Sequence, residues 1–398
     1  MEQCAGTYIK NKRTSIAFVK FEHRNTLERT RKIMVLTNYW WLLIWLAVGG
    51  ICCSLIFPKR TINFYGHTEQ RWGWLPALIL VTPYIIWAGY RTDGWGDTSA
   101  YRVMFQNAVA SLGEMPEYVS SVIKDRGFAV IIVLFKTFIS HSDVAFFLVI
   151  AAVQMLALVY VYRRYSCDFL FTLFLFIASA DYISWMHNGI RQFLATAIIF
   201  ACLPLLEKKK YVPAVVIILM ASLIHASALF FLPFVFVING KPWNKRTLLF
   251  LFAVIVSIFF LDRFTGIITD LMENSQYSSE VDQFVNDTGV SLPRVIFYSI
   301  PAILSLMFRR RLENEQNTVI SMSINLSAIT AGFYVIGYFT SGLLAGRIPI
   351  LFSLSNYILI PYILKTVFTE RSAKLLKIGF VAVYVVYFYY QVFITWGL

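Results

Sequence analysis

RTDGWGDTSAYRVMFQNAVASLGEMPEYVSSVIKDRGF, residues 91–128, is a polar insert between two apolar runs. It gathers Arg91, Asp93, Asp97, Tyr101, Arg102, Asp125 and Arg126 in a chain otherwise built of long Leu, Ile, Phe, Val and Tyr blocks. Charges set among such blocks are costly in lipid, so those retained there mark function by default. The insert reads as one wall of a membrane-embedded site.

Working outward, the chain has 398 residues, 58% of them hydrophobic and only 14% charged. A soluble chain carries about a quarter charged residues, and apolar runs near span length suit helices. The expectation is an all-α polytopic membrane protein. Aromatics make up 17% of the chain, with Trp and Tyr near run ends as interfacial anchors would be. The net charge of +13 does not indicate nucleic acid as a partner, because the basic residues fall in short clusters between apolar runs and no binding motif accompanies them. Cys4, Cys52, Cys53, Cys167 and Cys202 have neither metal-ligand spacing nor the pattern of a disulfide framework. The five His are equally scattered, so no metal site is expected. The first apolar run starts after Asn38 and continues too long for a cleaved signal peptide.

Apolar runs occupy residues 39–57, 75–90, 128–140, 144–162, 169–186, 191–206, 212–238, 248–261, 295–308, 320–339, 348–368 and 378–396. The run 212–238 carries His225 at its middle and is either one tilted helix or two short ones meeting at His225-Ala226-Ser227. The total is about twelve or thirteen helices of span type, forming a single transmembrane domain over 39–398 with extramembrane loops 91–126 and 262–293. Residues 1–38 hold Lys10, Lys12, Arg13, Lys20, Arg24, Arg29, Arg31 and Lys32. They read as a basic cytoplasmic tail, with Met34 as an alternative start. Arg163-Arg164, Lys208 to Lys210, Lys241 with Lys245-Arg246, Arg309 to Arg311, and Arg371 with Lys374 and Lys377 read as cytoplasmic. The acidic 262–293 loop reads as extracytoplasmic.

Four constellations carry chemistry. In the first, Arg91, Gly94, Gly96, Asp97, Tyr101 and Phe105, the last two fall at i+4 and i+8 from Asp97 if a helix restarts there. Asp97 is then either its cap or a catalytic carboxylate. In the second, Asn188, Arg191, Gln192 and Ala195 share one helix face, where burying the charge alone costs about 2.5–3.5 kcal/mol. The third is His225 with Ser227, read as a core histidine or a base. The fourth is Arg347, an interface anchor or a ligand for an anion. Arg91, Arg126, Arg191 and Arg347 suit a clamp for a diphosphate or other polyanion, since the guanidinium fork matches phosphate. Such a clamp stabilises a departing diphosphate more as its bond breaks.

With these residues in view, Arg91-x-x-Gly94-x-Gly96-Asp97-x-x-x-Tyr101-x-x-x-Phe105, Gly127-Phe128, Asn188-x-x-Arg191-Gln192-x-x-Ala195, the Lys-rich turn at Lys208 and His225-x-Ser227 resemble the EpsG family of polysaccharide polymerases. That family is similar to the Wzy-type O-antigen and exopolysaccharide polymerases. The likeness covers roughly 75–233 by motif and the last third by hydropathy and Arg347. One departure is Asp125-Arg126, where the family has a Glu shortly before Gly-Phe; Asp125 would serve there with a shorter reach.

The resemblance implies a GT-C-like, lipid-donor glycosyltransferase architecture in the bacterial inner membrane, acting on undecaprenyl-diphosphate-linked oligosaccharides at the periplasmic face. It also implies a flippase and a chain-length regulator as partners. No Asp-x-Asp pair and no phosphate-binding Gly loop is present for a nucleotide sugar, and a lipid-diphosphate donor needs neither, nor any cofactor. In the implied roles Arg191 and Arg347, with Arg91, hold the diphosphate, and Asp97 or His225 receives or orients the acceptor hydroxyl proton. Tyr101, Trp95 and Trp185 stack on sugars or anchor the interface, while Arg126, Asn188 and Gln192 contact substrate. A flippase or exporter of the same lipid-linked sugars is the competing reading, though no internal repeat supports it. A ligase or acyltransferase-like transferase lacks an obvious His-Asp pair. Counting spans back from Arg163-Arg164 puts 91–128 on the cytoplasmic side, whereas the implied reaction needs it on the other. Either a segment inside the insert or the run 128–140 then fails to cross.

Overall fold

The computed structural model describes residues 39–398 apart from 65–66, 95, 275–277, 279–280, 283–288, 314 and 342–345. The expectations for the tail 1–38, for Trp95 and for parts of the 262–293 loop lie outside the described residues. Helix α1 (Tyr39–Ile56) leads to an antiparallel hairpin, β1 (Arg60–Phe64) and β2 (His67–Arg71), the one departure from an all-helical chain among the described residues. Helix α2 (Trp74–Gly89) follows, and α3 (Thr98–Asn107), α4 (Met115–Ser121) and α5 (Arg126–Phe138) fold the insert. Next come α6 (Asp143–Tyr165), α7 (Phe169–Ala178), α8 (Asp181–His187), α9 (Ile190–Glu207), α10 (Tyr211–Ile224) and α11 (Ala226–Val237). The remainder is α12 (Lys245–Phe259), α13 (Leu261–Glu273), α14 (Leu292–Met307), α15 (Thr318–Phe339), α16 (Ile350–Val367) and α17 (Glu370–Thr395).

Local chemistry sets several boundaries. At the start of α6 the Ser142 side chain accepts from Ala145 N–H, Asp143 sits in the first turn, and Arg163 and Arg164 sit in the last. Those charges complement the helix dipole at both ends. Asp168, Asn244, Asn317 and Thr369 cap α7, α12, α15 and α17 in the same way.

The basic clusters meet at one end of the molecule. Arg163 Nη1 donates to Trp72 O at 3.1 Å, Arg164 lies 3.8 Å from Glu207, and Lys377 pairs with Asp168 at 2.5 Å. Lys365 approaches Glu69 of β2 at 3.6 Å, and Arg311 donates to Val367 O. From this end α6 runs back to Asp143, whose carboxylate pairs with Arg102 Nε at 2.8 Å. The insert therefore lies at the opposite end from the basic clusters.

Helix α5 bears on the conflict in span counting. Its start packs against Leu223 at the tip of the α10–α11 pair, and its end leads through a short turn into Asp143. The run 128–140 is not among the described helices long and apolar enough to cross a bilayer. Its 13 residues reach about 20 Å, and Phe128, Ile132 and Phe135 bury against Tyr101, Phe105, Phe146 and Phe147. Lys136 Nζ donates to the carbonyls of Phe105, Gln106 and Ala108, placing a cation on the C-terminal end of α3. The run 212–238 divides into two short arms meeting at His225, and the ring contact of Tyr211 with Phe236 at 6.0 Å shows that they double back as a hairpin.

Among the described residues six helices, α1, α6, α9, α15, α16 and α17, are long and apolar enough to cross a bilayer, or seven if α7 and α8 form one span bent by 67°. The sequence expectation is about twelve or thirteen, and the shorter apolar helices make up part of the difference. Helices α2, α10, α11 and α14 are apolar but shorter, and hydropathy reads a broken helix or a helix lying at one end much as it reads a full crossing. Helices α15 and α16 are 83% buried over their spans and form the centre, whereas α17 is 28% buried and faces outward.

Candidate functional site

The starts of α3, α5 and α9 meet around Arg191, and none of the three has a side-chain cap. Uncapped first turns direct backbone N–H groups and positive dipole ends outward, which suits an anion. Three of the turns that bring these starts together sit in the left-handed region: Gly96 at φ +60, Asp125 at φ 56 and Gly189 at φ +65. Glycine accepts this geometry without strain. At Gly96 it also allows contact, since a Cβ there would lie 3.0 Å from Asn188 Cβ.

The centre is Arg191 on the first turn of α9. Its Nη1 pairs with Asp125 Oδ2 at 2.9 Å, and its Cζ lies 5.6 Å from the Tyr101 ring centre. Tyr101 is buried and meets Phe128 edge-on. Asp125 Oδ1 accepts from the backbone N–H of Ala226 at 3.4 Å, tying α5 to the hairpin tip. Gln192, buried on the next position, donates through Nε2 to Arg347 O at 3.0 Å. Arg191 and Arg347 lie close enough for both charges to act on the His225 ring. His225 Nδ1 accepts from Ser227 N–H at 3.3 Å and bonds Ser227 Oγ at 2.7 Å. With Nδ1 accepting, the neutral ring carries its proton on Nε2 and is a donor there.

The sequence-derived set thus largely converges. Arg191 meets Tyr101, Gln192 reaches the Arg347 carbonyl, Asn188 lies against Gly96, and Asp125 bridges Arg191 to the residue after His225, while Arg347 is exposed. Asp97 is exposed immediately before α3, and its side chain makes no cap, which separates it from the capping reading. Arg91 is buried 4.7 Å from the Phe147 ring centre, with Nε donating to Ala88 O at 2.5 Å and both terminal nitrogens without a hydrogen-bond partner among the described residues. Arg102 fastens this wall through Asp93, Asp143 and Arg91 O. Arg126 stands apart: it is exposed and donates to Val122 O at 3.1 Å, one helix position away from the pocket side. Trp185 is buried.

Asp125, set in the sequence against the family's Glu but not named among the expected site residues, is the partner of Arg191. Its signal in the sequence was the acid two positions before Gly127. A second buried polar group was also missed: Asp181 accepts from Tyr298 and Tyr357 hydroxyls at 2.5 Å each, where α7 breaks into α8. An Asp inside the apolar run 169–186 was the available signal. Among the described residues no group of three or more His, Cys, Asp or Glu is placed to hold a metal ion.

The EpsG family model matches residues 74–396, spanning every element of this site. The chain belongs to the EpsG family. No curated protein and no solved structure matches it. The family match extends well beyond the motif-bearing region, so the C-terminal helices that present Arg347 in this EpsG-family protein are part of the family unit.

Proposed function

We propose that this protein is a polysaccharide polymerase, a GT-C-like membrane glycosyltransferase joining undecaprenyl-diphosphate-linked oligosaccharide repeats at the periplasmic face of a bacterial inner membrane, as in O-antigen or exopolysaccharide synthesis. A flippase and a chain-length regulator are its expected partners. The observation that carries the reading is the meeting of Arg191, Arg347 and the His225 tip with uncapped helix starts, at the end away from the basic clusters. That combination favours a doubly charged phosphate ester at a membrane boundary.

In the proposed reaction the acceptor hydroxyl oxygen bonds to the anomeric carbon of the donor glycan. The bond from that carbon to the diphosphate oxygen breaks, and its electron pair leaves on the lipid diphosphate. Arg191 and Arg347 hold that growing charge, and the Nε2–H of His225 donates to it. Asp97, the exposed carboxylate on the insert, takes the hydroxyl proton. Tyr101 and Asn188 line the sugar side, and Arg91 supports the wall from within.

Replacing Arg191 by Ala should abolish polymer and leave single capped repeats at unchanged membrane abundance, read by gel analysis of cell glycans. Normal long chains from that variant would remove the clamp. The purified protein should also lengthen lipid-linked repeats in detergent, where no compartment exists for a transporter to serve.

A further inference from the structure

At the basic end, α7, α16 and α17 enclose a cavity of about 270 Å3 that the proposed reaction does not use. Its apolar side includes Phe171, Leu364 and Phe368. One face of α17 supplies Glu370, Ala373, Lys374 and Lys377, at i, i+3, i+4 and i+7, and α16 adds Lys365.

The charges differ in how far they are already satisfied. Lys377 pairs with Asp168 at 2.5 Å and lies 5.0 Å from the Phe171 ring centre. Lys365 reaches Glu69 only at 3.6 Å and stays about half exposed, at 52%. Lys374 is exposed and has no partner among the described residues. Behind the rim, Arg311 donates to Val367 O, adding a further cation to that end. Next to the cavity the outer surface of α17 is apolar, with Leu375 and Ile378 among its most exposed side chains.

A ligand for this place must offer an anionic head to Lys365 and Lys374 while laying apolar chains beside Leu375 and Ile378. We infer that the cavity binds the phosphate of an anionic phospholipid, with its acyl chains along α17. Basic pockets between helices at a membrane surface recognise such headgroups. A soluble phosphate would share the lysines but gain nothing from the apolar wall.

The test uses the full chain in detergent and measures binding of dioctanoyl phosphatidylglycerol, dioctanoyl phosphatidylcholine and glycerol 3-phosphate by native mass spectrometry. Phosphatidylglycerol should be retained over both others. The double variant Lys365→Gln/Lys374→Gln should retain it about 30-fold less, from roughly 1 kcal/mol per lysine. Ala373→Trp, which fills the cavity and keeps both lysines, should lose retention as well. The two variants alter charge and volume separately, so the test stands if one of them fails to fold. Equal retention of phosphatidylcholine, equal affinity for glycerol 3-phosphate, or wild-type retention by either folded variant would overturn the inference.

Discussion

Asp125 combines two demands at one position. Its backbone occupies the left-handed region, which costs a residue with a Cβ roughly 1–2 kcal/mol, and its carboxylate meets Arg191 and the Ala226 N–H. Asparagine tolerates the same backbone region, and its side-chain oxygen can still accept from Ala226. Asp125→Asn should therefore leave membrane abundance level on immunoblots while lowering polymerisation about 10- to 100-fold, the loss expected for a charged hydrogen bond. Equal falls in abundance and activity would make Asp125 a folding residue alone. At this scale the sequence was legible for charge and illegible for pairing. Arg191 stood out because a cation in an apolar run needs a reason. Its partner was hidden, since the left-handed turn that aims Asp125 has no signature of its own. Arg126 was drawn in by adjacency, yet consecutive helix positions point about 100° apart.

The α10–α11 hairpin and α5 are joined through a glycine. A Cβ on Gly127 would lie 2.6 Å from Leu223 O, and a backbone carbonyl within a helix cannot give way as a side-chain tip can. Gly127→Ala should destabilise the protein by about 1–3 kcal/mol, seen as a lower melting temperature, and should reduce polymer length by unseating the His225 tip. Gly113→Ala, where the nearest atom is 3.7 Å away, should change neither. The hairpin was one of two forms the sequence allowed, because polar residues at the middle of a long apolar run accommodate both a tilt and a turn. The fate of α5 was not legible: its composition is that of a crossing helix, and only the aromatic cluster with α3 and α6 shows that its apolar face is spent on protein.

Across the whole molecule, the contacts of Arg163, Arg164, Arg311, Lys365 and Lys377 lie at one end and the candidate site at the other. A cysteine at Ser99 should be labelled by an impermeant maleimide added outside the cell, and one at Lys209 only after permeabilisation, each in a background free of native cysteines. Labelling of Ser99→Cys solely from inside would reverse the orientation and sink the proposed reaction. Membrane class was plain from composition, and the family from spaced motifs, but the number of full crossings was not, because run length alone does not reveal breaks. The abbreviated helices have a consequence for the surrounding lipid. At 16 residues, α2 and α14 extend about 24 Å, against a hydrocarbon thickness of roughly 30 Å. A helix of that length matches the hydrocarbon only where the bilayer thins or flanking side chains snorkel up to the headgroups.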